Sequence, residues 1–434
     1  MKRLGADGFA AMLLCAASLP LLPVAALAQA SPQASVTNTP PANDFGFNLP
    51  THLGTLSYSL TGSELIGTGY GNGSVGASTV ASGNLAYLSK SENAPFSLVY
   101  SGGYLFSTVP GSNSSSTFQN IAASQVLRTK SWVYVVSDSL QYLPESPTTG
   151  LSGIAGVGDV GVFPVQTGLG PAQSILTDYS NRLANGLQGS ATWQATPSLD
   201  LEGSGFWDVL NGSSEISSDQ YGGTFGPNFR IDARNQIGAD VFYSRDAYPN
   251  LGSFEIESYG VNLNYTRAWT RRFSTVFSVG PEETHGQTNS AIPSQINFAG
   301  TISLTYATRT TGFFAGYSRG VNAGSGVIYG SLSDIVTAGA NRPLGRDWVL
   351  GLNGGYSHNT SLASYSGLLP KFQDEYGAAQ LSRRISESLS AFASYTAIHQ
   401  TTNNVAGVPQ VFSGFNNTFS IGITFAPRPL IRGH

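Results

Sequence analysis

Charge is what this sequence has least of. Of 434 residues only 11% are Asp, Glu, Lys or Arg, against about 25% in an ordinary soluble domain. That is too little for a surface bathed on all sides by water. The charges nearly cancel, Lys+Arg 21 against Asp+Glu 25, which excludes the dense basic footprint of a nucleic-acid binder. Cysteine is nearly absent too: Cys15 stands alone, so disulfides and thiolate zinc sites, which need more than one, are excluded. Long apolar runs are missing after the first thirty residues, and with a mean hydropathy of −0.03 nothing there approaches the ~20 apolar residues of a spanning helix. A bundle of membrane helices is excluded. What the chain does have is 41% hydrophobic residues, with Tyr 20 and Phe 23, enough buried surface to exclude disorder. Little charge, abundant Gly and Tyr and no long apolar run point to alternating strands.

The amino terminus follows the order of a secretory signal: basic Lys2 and Arg3, an apolar stretch from Phe9 to Leu27, and small residues at Ala26-Leu27-Ala28 or Ala28-Gln29-Ala30. Pro20 and Pro23 inside the stretch, and the Pro-rich segment Ser31 to Pro50 after it, argue against a membrane anchor. Cleavage would remove Cys15 and leave a chain without thiols. Leu14 precedes that cysteine and the apolar run continues past it, which disfavours lipid attachment. The expected division is a signal over 1–28, a periplasmic segment over 29–53, a barrel over 54–427 and a periplasmic tail over 428–434.

From about Gly54 one unit recurs: some ten residues of period-two alternation, a turn, and ten more. Phe96, Leu98, Tyr100, Tyr104 and Phe106 share one face. So do Tyr259, Val261, Leu263 and Tyr265, as do Ile296, Phe298, Ile302, Leu304 and Tyr306. The opposite faces carry Ser, Thr, Asn and Gly. Such strands suit either a soluble sandwich or a membrane barrel. A sandwich loads its wet face with Lys and Glu, whereas small uncharged residues suit a wet interior and leave the apolar face for lipid. Eighteen segments are predicted, centred near Tyr58, Leu85, Tyr100, Ile121, Val135, Leu187, Gly205, Phe225, Val241, Leu263, Phe277, Ile302, Phe314, Val336, Leu352, Ala378, Tyr395 and Ile421; sixteen is the alternative. The fold class is therefore all-β, a transmembrane antiparallel up-and-down barrel. Short connections, such as Thr129-Lys130 and Arg234-Asn235, alternate with long ones, such as Pro110 to Thr117 and Glu282 to Ser294, placing the short turns in the periplasm. Trp132, Trp193, Trp269 and Trp348 fall near the short turns, and only Trp207 near the other end. The indole suits a membrane interface because its ring is apolar and its N–H polar. Arg128, Lys130, Arg234, Arg267, Arg271, Arg272, Arg309, Arg342, Arg346, Arg383 and Arg384 cluster at the same end.

The leader from Lys2 to Ala30, the alternating hairpins and the final strand Thr418-Phe419-Ser420-Ile421-Gly422-Ile423-Thr424-Phe425 resemble bacterial outer-membrane β-barrel proteins, with porins and polysaccharide-export barrels as the nearest analogies. The match spans nearly all of the mature chain; the departure is that Ala426 to His434 extend past Phe425. The resemblance implies an outer-membrane location, contact with lipid and lipopolysaccharide, insertion by barrel-assembly machinery, and passage of a hydrophilic solute such as a saccharide. It implies no cofactor.

Strand number implies a wide lumen, since sixteen to eighteen strands leave an aqueous channel. The Gly- and Pro-rich segment from Pro144 to Tyr179 either folds inward or caps the mouth; its glycines lack the Gly-Lys-Ser/Thr of a phosphate loop. Arg182, Asp200, Glu202, Asp208, Arg230, Asp232 and Asp240 are the expected interior charges, either making a transverse field across the lumen or pairing between strands. A hydrolase would need nucleophile, base and orienting group within hydrogen-bond reach. His285, His358 and His399 are expected on separate strands, about 10 to 20 Å apart at ~4.8 Å per strand. Glu282 and Glu283 beside His285 form the one weak metal or acid-base candidate. No catalytic, cofactor or metal residue is assigned. Three readings stay open: a channel or exporter, a structural or adhesive barrel closed by its loops, and an enzyme.

Overall fold

Eighteen long strands, each antiparallel to the next, close into one ring. The computed structural model describes the strands and most connections between residues 55 and 431. Outside the described residues lie 1–54, 69–74, 108–114, 145–180, 213–215, 250–253, 287–291, 409–412, 432–434 and the positions 90, 92, 309, 325–326, 365–366, 404, 407 and 428–429. The expected leader, Cys15, the periplasmic segment to residue 53 and almost all of the stretch from Pro144 to Tyr179 fall among these.

The strands are β1 (Thr55–Thr68), β2 (Val75–Leu88), β3 (Phe96–Ser107), β4 (Ser115–Arg128), β5 (Trp132–Pro144), β6 (Asn181–Thr196), β7 (Leu199–Gly212), β8 (Ser218–Arg230) and β9 (Asn235–Tyr248). They continue as β10 (Phe254–Thr270), β11 (Phe273–Gly286), β12 (Gln295–Ala307), β13 (Gly312–Asn322), β14 (Ser331–Leu344), β15 (Trp348–Ser361), β16 (Lys371–Arg384), β17 (Leu389–Thr402) and β18 (Gly414–Phe425). Every predicted centre lies inside its strand. β18 closes the ring on β1, from Leu60 opposite Phe425 to Gly67 opposite Thr418. Within the expected periplasmic tail over 428–434, a two-residue strand β19 (Leu430–Ile431) pairs with Leu56 and Thr55, covering the edge of β1 that β18 leaves open. Several strands run further toward the loops than the alternation suggests: β11 includes Glu282 to Gly286, and β17 reaches Thr402. Apolar alternation marks only the stretch in contact with lipid, whereas backbone pairing continues beyond it.

Short turns are tied by side chains on one pattern. The backbone N–H of Trp132 donates to Thr129 Oγ1 (3.1 Å), that of Leu199 to Thr196 Oγ1 (3.0 Å) and that of Phe273 to Thr270 Oγ1 (3.0 Å), the local capping that makes Thr a turn residue. Gly345, between β14 and β15, has φ 75, a left-handed conformation that costs glycine little.

Alternation sorts the side chains into two walls. Outward on β10, Tyr259, Val261 and Leu263 are exposed, while inward Ser258, Asn262 and Asn264 are covered. On β1 the same phase exposes Tyr58, Leu60 and Ile66 and turns Ser57, Ser59, Thr61 and Ser63 inward. An exposed apolar belt on every side of a ring has one fitting solvent, the hydrocarbon of a bilayer. At its turn end sit outward indoles: Trp132 stacks on Trp193 with centroids 5.8 Å apart, Arg267 lies 3.9 Å over the Trp269 ring and Arg383 5.2 Å over Trp348. Trp207 lies toward the loop end, where its Nε1 donates to Asp219.

An outward carboxylate on β5 breaks the pattern. Asp138 lies midway along β5, on the face of Trp132, Tyr134 and Val136, and takes a 2.9 Å hydrogen bond from Asn185 Nδ2 on β6. Outward charges elsewhere, such as the Arg245–Glu255 and Arg319–Asp334 pairs, sit toward the loop ends. A carboxylate facing lipid near mid-depth is destabilising, though less so than the ~2–4 kcal/mol of Lys or Arg. Replacing both polar partners, Asp138→Leu with Asn185→Leu, should therefore raise the unfolding free energy in vesicles by about 1–2 kcal/mol, read from urea titration of Trp fluorescence.

Candidate functional site

The inner wall concentrates its charge on neighbouring strands. Register places Asp200, Glu202 and Asp208 on the interior face of β7 and Asp240 and Asp246 on that of β9, with Glu282 on β11. A further acid, Asp374, faces inward from β16. Between them stand the amides and glycines of β8 and β10: Gln220, Gly222, Gly226 and Asn228, then Gly260, Asn262 and Asn264. Three of these acids, Asp246, Glu282 and Asp374, are not marked as interior by the sequence. Glu282 looks like part of a loop in the sequence, and Asp246 and Asp374 show their direction only once the phase of their strands is fixed.

Five of these acids have a specific support. Arg230 Nη2 lies 3.5 Å from Asp200 Oδ2, and Asn228 Nδ2 donates to Glu202 Oε2 at 3.2 Å. Asp240 is held by two amides, Asn262 Nδ2 at 3.0 Å and Asn264 Nδ2 on its other oxygen. The backbone N–H of Val321 reaches Glu282 Oε2 at 3.3 Å. Ser357 Oγ donates to Asp374 Oδ2 at 2.9 Å. Among the described side chains, the expected cross-strand ion pairing is realised between Arg230 and Asp200. Asp232 is not on the wall. It lies in the exposed turn between β8 and β9, where its carboxylate accepts the backbone N–H groups of Arg234 (2.6 Å) and Asn235 (2.9 Å) and the Asn235 side chain (2.6 Å). Those hydrogen bonds, led by the one from Arg234, hold its pKa below the ordinary carboxylate value. Arg182 lies in β6 with its backbone opposite Gly212; its side chain is outside the described atoms.

Two Gly-Pro pairs shape this wall. Pro227 in β8 and Pro281 in β11 cannot donate to the ladder, and each follows an inward glycine that approaches its neighbour closely. A Cβ on Gly226 would stand 1.9 Å from the Ala239 carbonyl oxygen, and one on Gly280 1.7 Å from that of Val261. Both glycines leave the wall bare beside Asp240 and Asn262. Inward aromatics lie directly opposite other glycines, Phe206 with Gly222, Phe242 with Gly260 and Tyr376 with Gly355. Their rings occupy the space a Cβ would take, which lays them along the wall.

The lining is not polar throughout. Leu65, Val80, Leu105 and Phe118 form an inward apolar patch on β1 to β4. At the loop end, Tyr248, Ile256, Ile292, Leu362 and Ala363 pack together with Tyr329 and Leu332 at their margin, while Val327 and Ile328 pack on Phe372. Tyr248 and Phe372 face inward, so the described part of the connection after β13, residues 323–324 and 327–330, lies against the inner wall. It is fastened by the Tyr248 hydroxyl to the Ala323 carbonyl (3.1 Å) and by the Leu362 N–H to the Gly330 carbonyl (3.1 Å). The sequence signal for this contact is Val327-Ile328-Tyr329, an apolar run within a connection.

The histidines stand apart from all of this. His285 on β11, His358 on β15 and His399 on β17 face outward, His285 3.1 Å from Glu257 and His399 3.9 Å from Glu375. Alternation also divides the weak metal or acid-base candidate: Glu283 and His285 point outward, Glu282 inward. Among the described residues no group of three or more His, Cys, Asp or Glu could hold a metal ion.

No family model and no curated protein matches this chain. Solved structures do. Pseudomonas aeruginosa OpdQ aligns at 11% identity and TM-score 0.42, over 87% of this chain and 99% of that one. Acinetobacter baumannii OccAB3 aligns at 10% identity and TM-score 0.41, over 86% and 99%. Pseudomonas aeruginosa OccK2 (OpdF) aligns at 9% identity and TM-score 0.42, over 88% and 98%. At these values the likeness carries no statement about what this chain conveys, and the functional reading rests on its own geometry.

Gly226→Ala tests the close approach beside Asp240. The added methyl meets backbone rather than a movable side chain, so the substitution should cost at least about 1–3 kcal/mol, measured as a lowered urea midpoint of the refolded barrel.

Proposed function

We propose that this chain is a bacterial outer-membrane channel for small hydrophilic solutes, with its short turns in the periplasm and its longer loops outside. One observation carries the reading: a closed ring of eighteen strands, apolar on the outside, turns mostly Ser, Thr, Asn, Gln and acidic side chains inward. A ring of this size encloses more space than its own wall side chains fill, and a polar wall facing that space makes water, rather than a hydrophobic core, its natural filling. The Arg245–Glu255, His285–Glu257 and Arg319–Asp334 pairs on the outer face near the loop end suit the headgroup region of lipopolysaccharide. The exposed aromatic face of β18, Phe415, Phe419 and Phe425, supports recognition by barrel-assembly machinery.

The packing of Val327, Ile328 and Tyr329 against the inner wall favours a second reading in which the barrel is closed and serves the envelope structurally or at the surface. Conductance separates the two. The purified protein in a planar bilayer should give stable single-channel currents, and vesicles containing it should swell faster in small sugars than in large ones. Ile328→Asp, which places a charge at a fully buried position, should enlarge the conductance by loosening the loop. Currents from the variant alone would favour the closed barrel.

A further inference from the structure

We propose that the inner wall from β7 to β11 selects positively charged solutes, binding ammonium or guanidinium groups along its acids; the inference deepens the channel reading and rests on it. Two independent observations carry it.

The first is the sign of the wall. Asp200, Glu202, Asp208, Asp240, Asp246 and Glu282 face the interior on three alternate strands. Inward basic positions among the described side chains occur only at the turn ends: Arg128 closes β4, Arg230 closes β8 and Arg384 closes β16. Arg230 is engaged with Asp200 and Arg384 with Asp347. Nothing in the described wall neutralises the acids nearer the loops, and a wall of one sign in a confined, low-dielectric passage raises the local concentration of counter-ions.

The second is the kind of polar group left over. Among the described residues, six buried amide or carboxylate oxygens on the inner wall receive no hydrogen bond from the protein: Asn120 Oδ1, Gln188 Oε1, Asp246 Oδ1, Asn264 Oδ1, Asn353 Oδ1 and Asp374 Oδ1; the Ser63 and Ser420 hydroxyls, which donate as well as accept, are also without a partner. Asn297 Nδ2 is the one inward nitrogen in the same condition. Asp246 is 2% exposed and Asn264 8%. Asn264 has already given its N–H to Asp240, so its carbonyl and the carboxylate together form an acceptor-only corner beside the bare backbone of Gly226 and Gly280. Buried acceptors without donors are costly. A solute bearing several N–H donors on a positive charge meets both demands, and charge-assisted hydrogen bonds are the stronger kind.

The test is the zero-current potential across a planar bilayer in a KCl gradient, with putrescine as the organic probe. The wild-type channel should pass K⁺ over Cl⁻ by at least about threefold, and putrescine should block its current. Asp240→Asn with Asp246→Asn, which keeps the shapes, should move the ratio toward one and relieve the block while conductance persists. Asp374→Asn, on the facing wall, gives a second variant should the first not refold. Asp138→Asn, on the outer face, should change nothing. Anion preference, or a ratio and block unmoved in the inner-wall variants, would overturn the proposal. Absence of any current would instead refute the channel. Calorimetric binding of putrescine to the detergent-solubilised barrel, lost in the double variant, would then still support the acidic station, and no binding would overturn it.

Discussion

Backbone hydrogen bonding in lipid is the constraint on which this molecule depends. A strand in hydrocarbon has no water to satisfy its N–H and C=O groups, so a sheet that crosses a bilayer must have no open edge. The ladder between β1 and β18 meets that requirement by joining residues more than 350 positions apart in the chain, Leu60 with Phe425 and Gly67 with Thr418. Side chains reinforce the seam: Thr61 and Thr424 share a 2.9 Å hydroxyl contact, and Asn416 Nδ2 donates to the Thr68 carbonyl at 2.8 Å. β19 continues the pairing down the edge of β1. Once the ring is closed, period-two alternation divides the chain into a lipid wall and an inner wall, and every other feature follows from which side a residue falls on.

The inner wall then has to reconcile curvature with polarity. Glycines let strands approach where Gly226 and Gly280 stand against backbone, and let rings such as Phe242 lie flat over Gly260. Amide side chains do a different task. Asn262 and Asn264 orient the Asp240 carboxylate without cancelling its charge, whereas an arginine in their place would have done both. The same contrast appears at Asp200, where Arg230 does neutralise the acid.

Much of the architecture was legible in the sequence because lipid writes a strong periodic signal. Phe298, Ile302 and Leu304 against Thr301, Ser303 and Thr305 fix both the strand and its phase, and the indoles of Trp132, Trp193, Trp269 and Trp348 fix its direction. Candidates on well-phased strands, Asp200, Glu202, Asp208, Arg230 and Asp240, face inward as their alternation implies. Legibility fails where alternation fades. Asp232 reads as the next residue of a strand, yet the chain is already turning and the carboxylate ties that turn. Glu282, Asp246 and Asp374 lie near the loop ends, where the outward partners are polar too and the phase cannot be seen. The contact of Ile328 with Phe372 joins a connection to the inward face of β16 by tertiary packing, which no local pattern records.

The assignment of the two walls can be measured residue by residue on β12, in a chain whose one natural cysteine, Cys15, stands in the leader region. Single cysteines at Thr301, Ser303 and Thr305, and at Ile302, Leu304 and Tyr306, would be treated in vesicles with a membrane-impermeant maleimide. The account requires the first three to react from the aqueous interior and the second three to be protected by lipid. Labelling in the opposite phase, or at equal rates on both faces, would contradict it.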